Sequence, residues 1–291
     1  MEVRSITVVG AGTMGHGIAQ VAAMAGYQVS LVDISEDVLM SARARIEKNL
    51  QKGVQLGKLD EALATESLDR ITFTTDLESV ARTVDLVIEA VPEDLDLKIE
   101  VFARLDKVCP PHTILATNTS TMSPSAMGSA TRRPDKVVGM HFFNPVHLMK
   151  LVEVVRALET SDETCETVLG VAHRMGKETV VVHESPGFIT SRVSALVGNE
   201  AFYMLMEGVA SAEDIDRAIK LGLNYPMGPL ELSDLVGLDV RLRNLEYLHK
   251  MLGERFRPCP LLVKYVQAGR LGRKTGRGVY EYTPEGEKKH E

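Results

Sequence analysis

The chain lacks the features that would tie it to a membrane, a nucleic acid or a metal. No uninterrupted apolar stretch in its 291 residues reaches the length of a membrane-spanning helix. Positive charge is in deficit: 33 Lys and Arg against 40 Asp and Glu give a net charge of −7, which argues against nucleic acid or an anionic membrane surface as partner. Only three cysteines occur, Cys109, Cys165 and Cys259, scattered and without C-x-x-C spacing. They point to reduced thiols in a cytoplasmic setting, not to a disulfide framework. No His/Cys/Asp cluster has metal-ligand spacing, so no metal is expected. There are no internal repeats, and no signal peptide precedes the first apolar run, which starts almost at Met1. What remains is an ordinary globular composition, 44% hydrophobic and 25% charged, over a length that suits about two domains.

Against that background one stretch stands out. The run Ile6-Thr-Val-Val9 ends in Gly10-Ala-Gly12-Thr-Met-Gly15, a small-residue helix follows and stops at Gly26, and a second apolar run, Val29 to Val32, ends on Asp33. Strand, glycine turn, helix, strand and acid is the order a dinucleotide fold requires. Gly10 permits the tight turn, Gly12 lets the backbone approach a pyrophosphate, and Gly15 lets helix and strand pack closely. The helix N-terminus offers N–H groups to phosphate. Asp33 is placed for the adenosine ribose hydroxyls, and its charge favours NAD over NADP.

The rest of the first part alternates strand and helix. After Asp33 the spacing predicts a helix from Ser35 to about Gln51 and another from about Leu59 to Ser67, a helical hairpin inserted into the nucleotide fold. Lys48, Lys52 and Lys58 cluster there, and a solvated helix face accounts for them as well as a ligand site does. Strands are expected at Ile71–Phe73, within Val84–Ile88, and at Thr113–Ala116, Lys136–Met140, Leu151–Val155 and Thr179–His183. A helix carrying Lys98 follows the fourth strand, and Ser123-Pro124 caps a short one. This pattern implies a mostly parallel, doubly wound α/β sheet of Rossmann type over residues 1–184. Residues 185–291 form a separate all-α domain, with helices from about Phe188 to Glu207, from Ala212 to Leu221 and beyond Pro229. A basic glycine-rich loop, Gly269 to Gly278, and disordered final residues close the chain.

Ligands bind at the carboxyl ends of parallel strands, where Asn118, Ser120, His141 and Asn144 are expected. A histidine, whose ordinary pKa lies near neutrality, suits exchange of an alcohol proton while hydride moves to or from a nicotinamide. A buried carboxylate such as Glu153 would fix its tautomer. The residues alone leave a second reading open, in which His141 is structural and Asn118 to Ser123 is a turn with a helix cap.

The motifs together are more specific. Val8-Val-Gly-Ala-Gly-Thr-Met-Gly15, Glu89-Ala-Val-Pro-Glu93 with Lys98, Thr117-Asn-Thr-Ser120, His141-Phe-Phe-Asn-Pro145, Lys150-Leu-Val-Glu-Val154, Leu223-Asn-Tyr-Pro-Met-Gly-Pro229 and Gly272-Arg-Lys-Thr-Gly276 resemble, in the same order, the L-3-hydroxyacyl-CoA dehydrogenase family. The likeness spans nearly the whole chain and is nearest to bacterial members acting on 3-hydroxybutyryl-CoA. It implies reversible NAD-dependent oxidation of a (3S)-3-hydroxyacyl-CoA to the 3-ketoacyl-CoA. His141 would then be the general base, Glu153 its orienting partner, and Ser120 a ligand of the substrate oxygen. Gly10, Gly12, Met14, Gly15, Asp33, Ala90, Glu93, Lys98, Asn118, Ser120, Asn144 and Lys274 would hold NAD, and Asn49, Lys52 and Lys58 the CoA. The resemblance also implies a homodimer formed through the helical domain.

One position departs from the family. Where its members read Pro-Gly-Phe-x-x-Asn-Arg, this chain has Pro186-Gly-Phe-Ile-Thr-Ser191-Arg192. Ser191 lacks the amide's separate donor and acceptor, and one lost bond to a reacting oxygen costs on the order of 1–3 kcal/mol. Two other readings therefore stand beside the leading one: a dehydrogenase of the same fold for a hydroxy acid without CoA, and a non-catalytic dinucleotide-binding dimer.

Overall fold

The structure is a computed structural model and describes residues 1–289. It divides into two compact units, Met1–Glu184 and Ser185–Glu291. The first unit runs β1 (Ser5–Val9), α1 (Gly15–Met24), β2 (Gln28–Val32), α2 (Glu36–Gln55), α3 (Glu61–Asp69), β3 (Ile71–Thr74), α4 (Leu77–Ala81), β4 (Leu86–Glu89), α5 (Leu95–Val108), β5 (Ile114–Thr117), α6 (Pro124–Gly128), β6 (Val137–Phe142), β7 (Leu151–Arg156), α7 (Asp162–Arg174) and β8 (Glu178–His183).

These strands form one eight-stranded sheet in the order β3-β2-β1-β4-β5-β6-β7-β8. Every neighbouring pair is parallel except β6 and β7. Successive side chains leave a strand on opposite faces, and the two cores follow that rule. Val8, Leu31, Ile88 and Ala116 pack on one face with α1 and α7, while Val9, Val32, Val87 and Leu115 pack on the other with Phe102 and Leu105 of α5. Both faces of β4, β5 and β6 are buried, which explains why these strands are apolar except for Glu89, Thr117 and His141. The strand order reverses between β1 and β4, and that topological switch opens a crevice at their carboxyl ends.

Element ends differ from the sequence expectations for local reasons. The helix α2 continues to Gln55, and α3 starts at Glu61 because Asp60 caps it, accepting the Ala62 N–H at 2.8 Å. The five-residue α4, capped by Asp76, is too short to show a period. The strand β6 extends through Phe142, so His141 lies inside the strand and not in the loop after it.

The second unit contains α8 (Thr190–Glu207), α9 (Ala212–Gly222), α10 (Pro229–Val236), α11 (Leu238–Leu252) and α12 (Pro260–Gln267). The first of these begins at Thr190, not Phe188, because Gly187 and Phe188 both take positive φ. Phe202, Leu230, Leu238, Leu245, Phe256 and Leu262 form its core. Two buried aspartates tie the C-terminal segment to the helices. Asp216 accepts the N–H groups of Leu230 and Glu231 and the Tyr280 hydroxyl. Asp234 accepts the N–H groups of Val279 and Tyr280 and the Tyr282 hydroxyl. Burial pushes both carboxyls up from the ordinary aspartate range. The expected disorder therefore does not extend to this segment: Tyr280 and Tyr282 are buried, and Tyr282 pairs with Lys288. Only residues 290–291 lie outside the described residues. Among the described residues no helix is long and apolar enough to cross a membrane, and no group of His, Cys, Asp and Glu could hold a metal.

Candidate active site

The glycine turn after β1 faces the switch crevice. Gly10 has φ +100°, and a Cβ there would meet the Ala90 carbonyl oxygen at 2.6 Å. A Cβ on Gly15 would come within 1.7 Å of the Gly10 carbonyl oxygen, so α1 can start this close to the turn only with glycine. Gly12 differs, since its Cβ would meet nothing within 4 Å. Nothing inside the protein requires glycine there, and the open, exposed backbone matches the approach of a pyrophosphate. Asp33, one residue past β2, ties the turn in place: Oδ2 accepts the Ala11 N–H at 2.8 Å and Oδ1 the Ser35 N–H at 3.1 Å. Met14 and Ala90 flank the same turn, half-buried. These residues fit a dinucleotide.

Past β4 and β5 lies a charged network. Lys98 of α5 is 1% exposed, and its Nζ lies 2.7 Å from Glu89 Oε1 and 3.3 Å from Glu93 Oε2. Glu89 also accepts the Thr117 hydroxyl at 2.7 Å and the Val91 N–H at 2.7 Å. Burial pushes the Glu89 carboxyl up despite these donors. Burial acts on Glu93 as well, but Lys98, the Thr119 hydroxyl and the Ser120 N–H outweigh it and hold that carboxyl below its usual range. Ser120 donates both its N–H, at 2.9 Å, and its hydroxyl, at 3.2 Å, to Glu93. Asn118 bridges strands: its N–H donates to the Glu89 carbonyl at 2.8 Å, and its Oδ1 accepts the Phe142 N–H at 2.9 Å. With that oxygen engaged, the amide nitrogen is the part of Asn118 that can donate to a ligand.

His141 and Glu153 are direct partners across the antiparallel β6/β7 pair. Nδ1 of His141 lies 2.7 Å from Glu153 Oε2, with Glu153 fully buried. A carboxylate only accepts, so the pair places the proton on Nδ1 and directs Nε2 away from Glu153. The Phe143 ring lies against the imidazole, with centroids 4.4 Å apart. The loop after β6 carries Asn144, exposed, and turns back over α1, where Gly17 leaves room for Val146.

A cavity of about 290 Å³ opens between that loop and α2. Its wall includes Thr13, His16, Arg45, Lys48, Asn49, Asn144 and His147, four of them basic and none acidic. His16 donates from Nδ1 to the Gly12 carbonyl at 2.8 Å. Burial holds His16 and His147 below the ordinary histidine range; Arg45 adds to this at His16, and at His147 the neighbouring His16, Lys177 and Lys52 do. Of the residues considered for CoA, Asn49 lines the cavity. Lys52 and Lys58 are exposed at the end of α2 and in the turn beyond, outside the lining.

The comparisons with known proteins agree with one another. Residues 5–185 match the NAD-binding domain of 3-hydroxyacyl-CoA dehydrogenase, and residues 187–282 match the C-terminal domain of the same enzyme. The chain belongs to the 3-hydroxyacyl-CoA dehydrogenase family. A probable 3-hydroxybutyryl-CoA dehydrogenase of Bacillus subtilis is 48% identical over 283 residues, 97% of this chain and 98% of that one. One from Deinococcus radiodurans, described in the same words, is 48% identical over 276 residues, covering 94% and 99%. The crystal structure of (S)-3-hydroxybutyryl-CoA dehydrogenase from Ralstonia eutropha superposes with a TM-score of 0.92 at 42% identity, covering 97% of this chain and 100% of that one.

For this 3-hydroxyacyl-CoA dehydrogenase family member, two of the expected site residues belong to the helical unit. Ser191 is in the first turn of α8, and Lys274 is in a short turn, Arg273–Thr275, where its Nζ lies 2.6 Å from Asp239. Sequence reasoning missed the roles of Glu89, His16 and His147. Glu89 was detectable in principle: Lys98 shares the buried face of α5 with Phe102 and Leu105, and a lysine in a core position demands a buried acid nearby. His16 and His147 are far apart in sequence, and no spacing rule joins them.

Proposed function

We propose that this protein catalyses the reversible NAD-dependent oxidation of short-chain (3S)-3-hydroxyacyl-CoA to 3-ketoacyl-CoA, with His141 as general base and Glu153 as its orienting partner. The observation that carries this reading is the buried His141–Glu153 pair at 2.7 Å, near the carboxyl end of β6 in the same sheet whose β1 leads into the dinucleotide turn. NAD, when bound, supplies the hydride acceptor. Gly10, Gly12, Met14 and Gly15 receive its pyrophosphate, Asp33 and Ala90 its adenosine half, and Glu93, Lys98, Asn118, Asn144 and Lys274 its nicotinamide half.

His141 Nε2 takes the proton of the 3-hydroxyl as the C3–H bond breaks, while Nδ1–H stays on Glu153, whose charge stabilises the imidazolium that forms. In the reverse direction the same nitrogen returns the proton. Ser120 and Ser191 hold the reacting oxygen. The acid-free cavity at His16, Arg45, Lys48 and Asn49 supports a phosphate-bearing carrier such as CoA, with Lys52 and Lys58 extending the positive field. We further propose a cytoplasmic homodimer built on the helical unit, where Val209, Leu221 and Leu223 are exposed apolar side chains; sedimentation of the purified protein tests the dimer.

The deciding assay is loss of NADH absorbance with acetoacetyl-CoA, run beside arms with NADPH and with free acetoacetate. Turnover with NADH and the CoA ester alone is expected. Turnover of free acetoacetate would remove CoA from the reading, and NAD binding without turnover in any arm would remove catalysis.

A further inference from the structure

The helical unit holds a buried cation whose charge the rest of the unit does not answer. Arg241 on α11 is 4% exposed, its Nε has no hydrogen-bond partner, and among the described residues it forms no ion pair. Its one side-chain hydrogen bond runs from Nη1 to the Ser194 hydroxyl at 3.1 Å. The acids nearest in sequence and fold are committed elsewhere: Asp239 to Lys274, Glu231 to Arg273, and Asp216 and Asp234 to backbone N–H groups and tyrosine hydroxyls. Burial lowers the guanidinium to about 10, so it stays charged at neutral pH. A buried guanidinium whose Nε has no partner is costly by itself, and a planar carboxylate satisfies a guanidinium with two parallel bonds.

The surroundings are built to admit this side chain. Gly198 of α8 lies against it, and a Cβ there would stand 3.1 Å from Ser233 Oγ and 3.5 Å from the guanidinium carbon. Ser191, Ser194 and Gly198 follow one another at helical spacings of three and four, so they share a face of α8. The rise of about 1.5 Å per residue puts Ser194 roughly 4.5 Å along that face from Ser191 and Gly198 roughly 10 Å.

We propose that Arg241 and Ser194 form a subsite for a carboxylate at the far end of the acyl chain, so that the protein favours CoA esters of short dicarboxylic acids. The proposal rests on the function given above through Ser191, taken there to hold the oxygen on C3. A chain continuing from that oxygen along α8 brings a carboxyl on carbon five or six to the guanidinium.

Calorimetry with glutaryl-CoA and butyryl-CoA tests it, because neither ester has a 3-oxygen and binding is read apart from turnover. Glutaryl-CoA is expected to bind at least tenfold more tightly to the unmodified protein. Arg241→Leu is expected to erase or invert that ratio, Arg241→Lys to keep part of it, and Ser194→Ala to reduce it. Equal affinities in the unmodified protein, binding of neither ester, or an unchanged ratio in Arg241→Leu would each overturn the proposal. If Arg241→Leu does not fold, the unmodified ratio and Ser194→Ala decide. Absence of a preference together with loss of self-association in Arg241→Leu would assign the guanidinium to a carboxylate of a second copy, which also overturns it. A glutaryl preference without acetoacetyl-CoA turnover would sink the dehydrogenase reading and leave the subsite standing.

Discussion

Replacing Glu153 by Gln tests the proposed chemistry with little change of shape. The wild-type pair is 2.7 Å long and the carboxylate is fully buried. A hydrogen bond to a charged group contributes about 1.5–3 kcal/mol. At 1.36 kcal/mol per decade, loss of that charge alone lowers kcat roughly 10- to 150-fold. Glutamine can also present its NH2 to Nδ1, which moves the imidazole proton to Nε2 and leaves no base in the oxidation direction. The comparable swap in a Ser-His-Asp triad costs about 10⁴-fold, which sets the upper end. The assay is kcat in both directions, from NADH absorbance across pH, with NAD affinity and Tm measured on the same preparations. A kcat within threefold of the unmodified protein, with NAD affinity and Tm unchanged, would refute the assigned roles of both residues.

The glycine turn separates folding from binding. Gly15→Ala drives a Cβ into the Gly10 carbonyl, and overpacking of about 1–3 kcal/mol should lower Tm by several degrees; Gly12→Ala meets nothing, so Tm should hold while the Kd for NAD rises at least tenfold, as titration will read. The cavity predicts a pH-dependent KM. Because His16 and His147 are both held below the ordinary histidine range, mainly by burial, they gain charge only in acid. The KM for acetoacetyl-CoA should therefore fall as pH drops below about 6.5, and a pantetheine ester lacking the nucleotide phosphates should show no such fall. Asp234→Ala strands the Val279 and Tyr280 N–H groups and the Tyr282 hydroxyl, at about 1–3 kcal/mol for each donor that water cannot reach; urea unfolding followed by tyrosine fluorescence should show a loss of about 3–5 kcal/mol, and an unchanged midpoint would show that the C-terminal segment is not held this way.

What could be read from the sequence follows how local each cause is. The βαβ unit from Ile6 to Asp33 was legible because its glycines, period and acid act within thirty residues, and the helix starts at Ser35 and Ser123 were visible for the same reason. The short α4 and the late start of α8 were not. The first lacks the length for a period, and the second depends on positive φ at Gly187 and Phe188, which propensity does not report. The segment of Tyr280 and Tyr282 gave no sign of order in the sequence because their partners, Asp216 and Asp234, lie 64 and 48 residues away. The cavity histidines and Arg241 are tertiary in the same sense, for nothing in their neighbourhoods on the chain announces what they face.

The proposed catalytic pair is the instructive case, because His141 and Glu153 were joined by residue type and resemblance, while the direction of their strands was deducible as well. Parallel neighbours need a crossover of a dozen or more residues. Between Phe142 and Leu151 the connection is residues 143–150, too short to return a strand to the same end of the sheet. β6 and β7 must therefore be antiparallel, against the grain of a mostly parallel sheet. In an antiparallel ladder the chain runs back along itself, so residues near the end of β6 face residues near the start of β7. His141 lies one residue before the end of β6 and Glu153 two after the start of β7, and the register pairs them. A parallel arrangement would have carried Glu153 to another part of the sheet. The one strand reversal in this otherwise parallel array thus gives the histidine a buried carboxylate within hydrogen-bond reach.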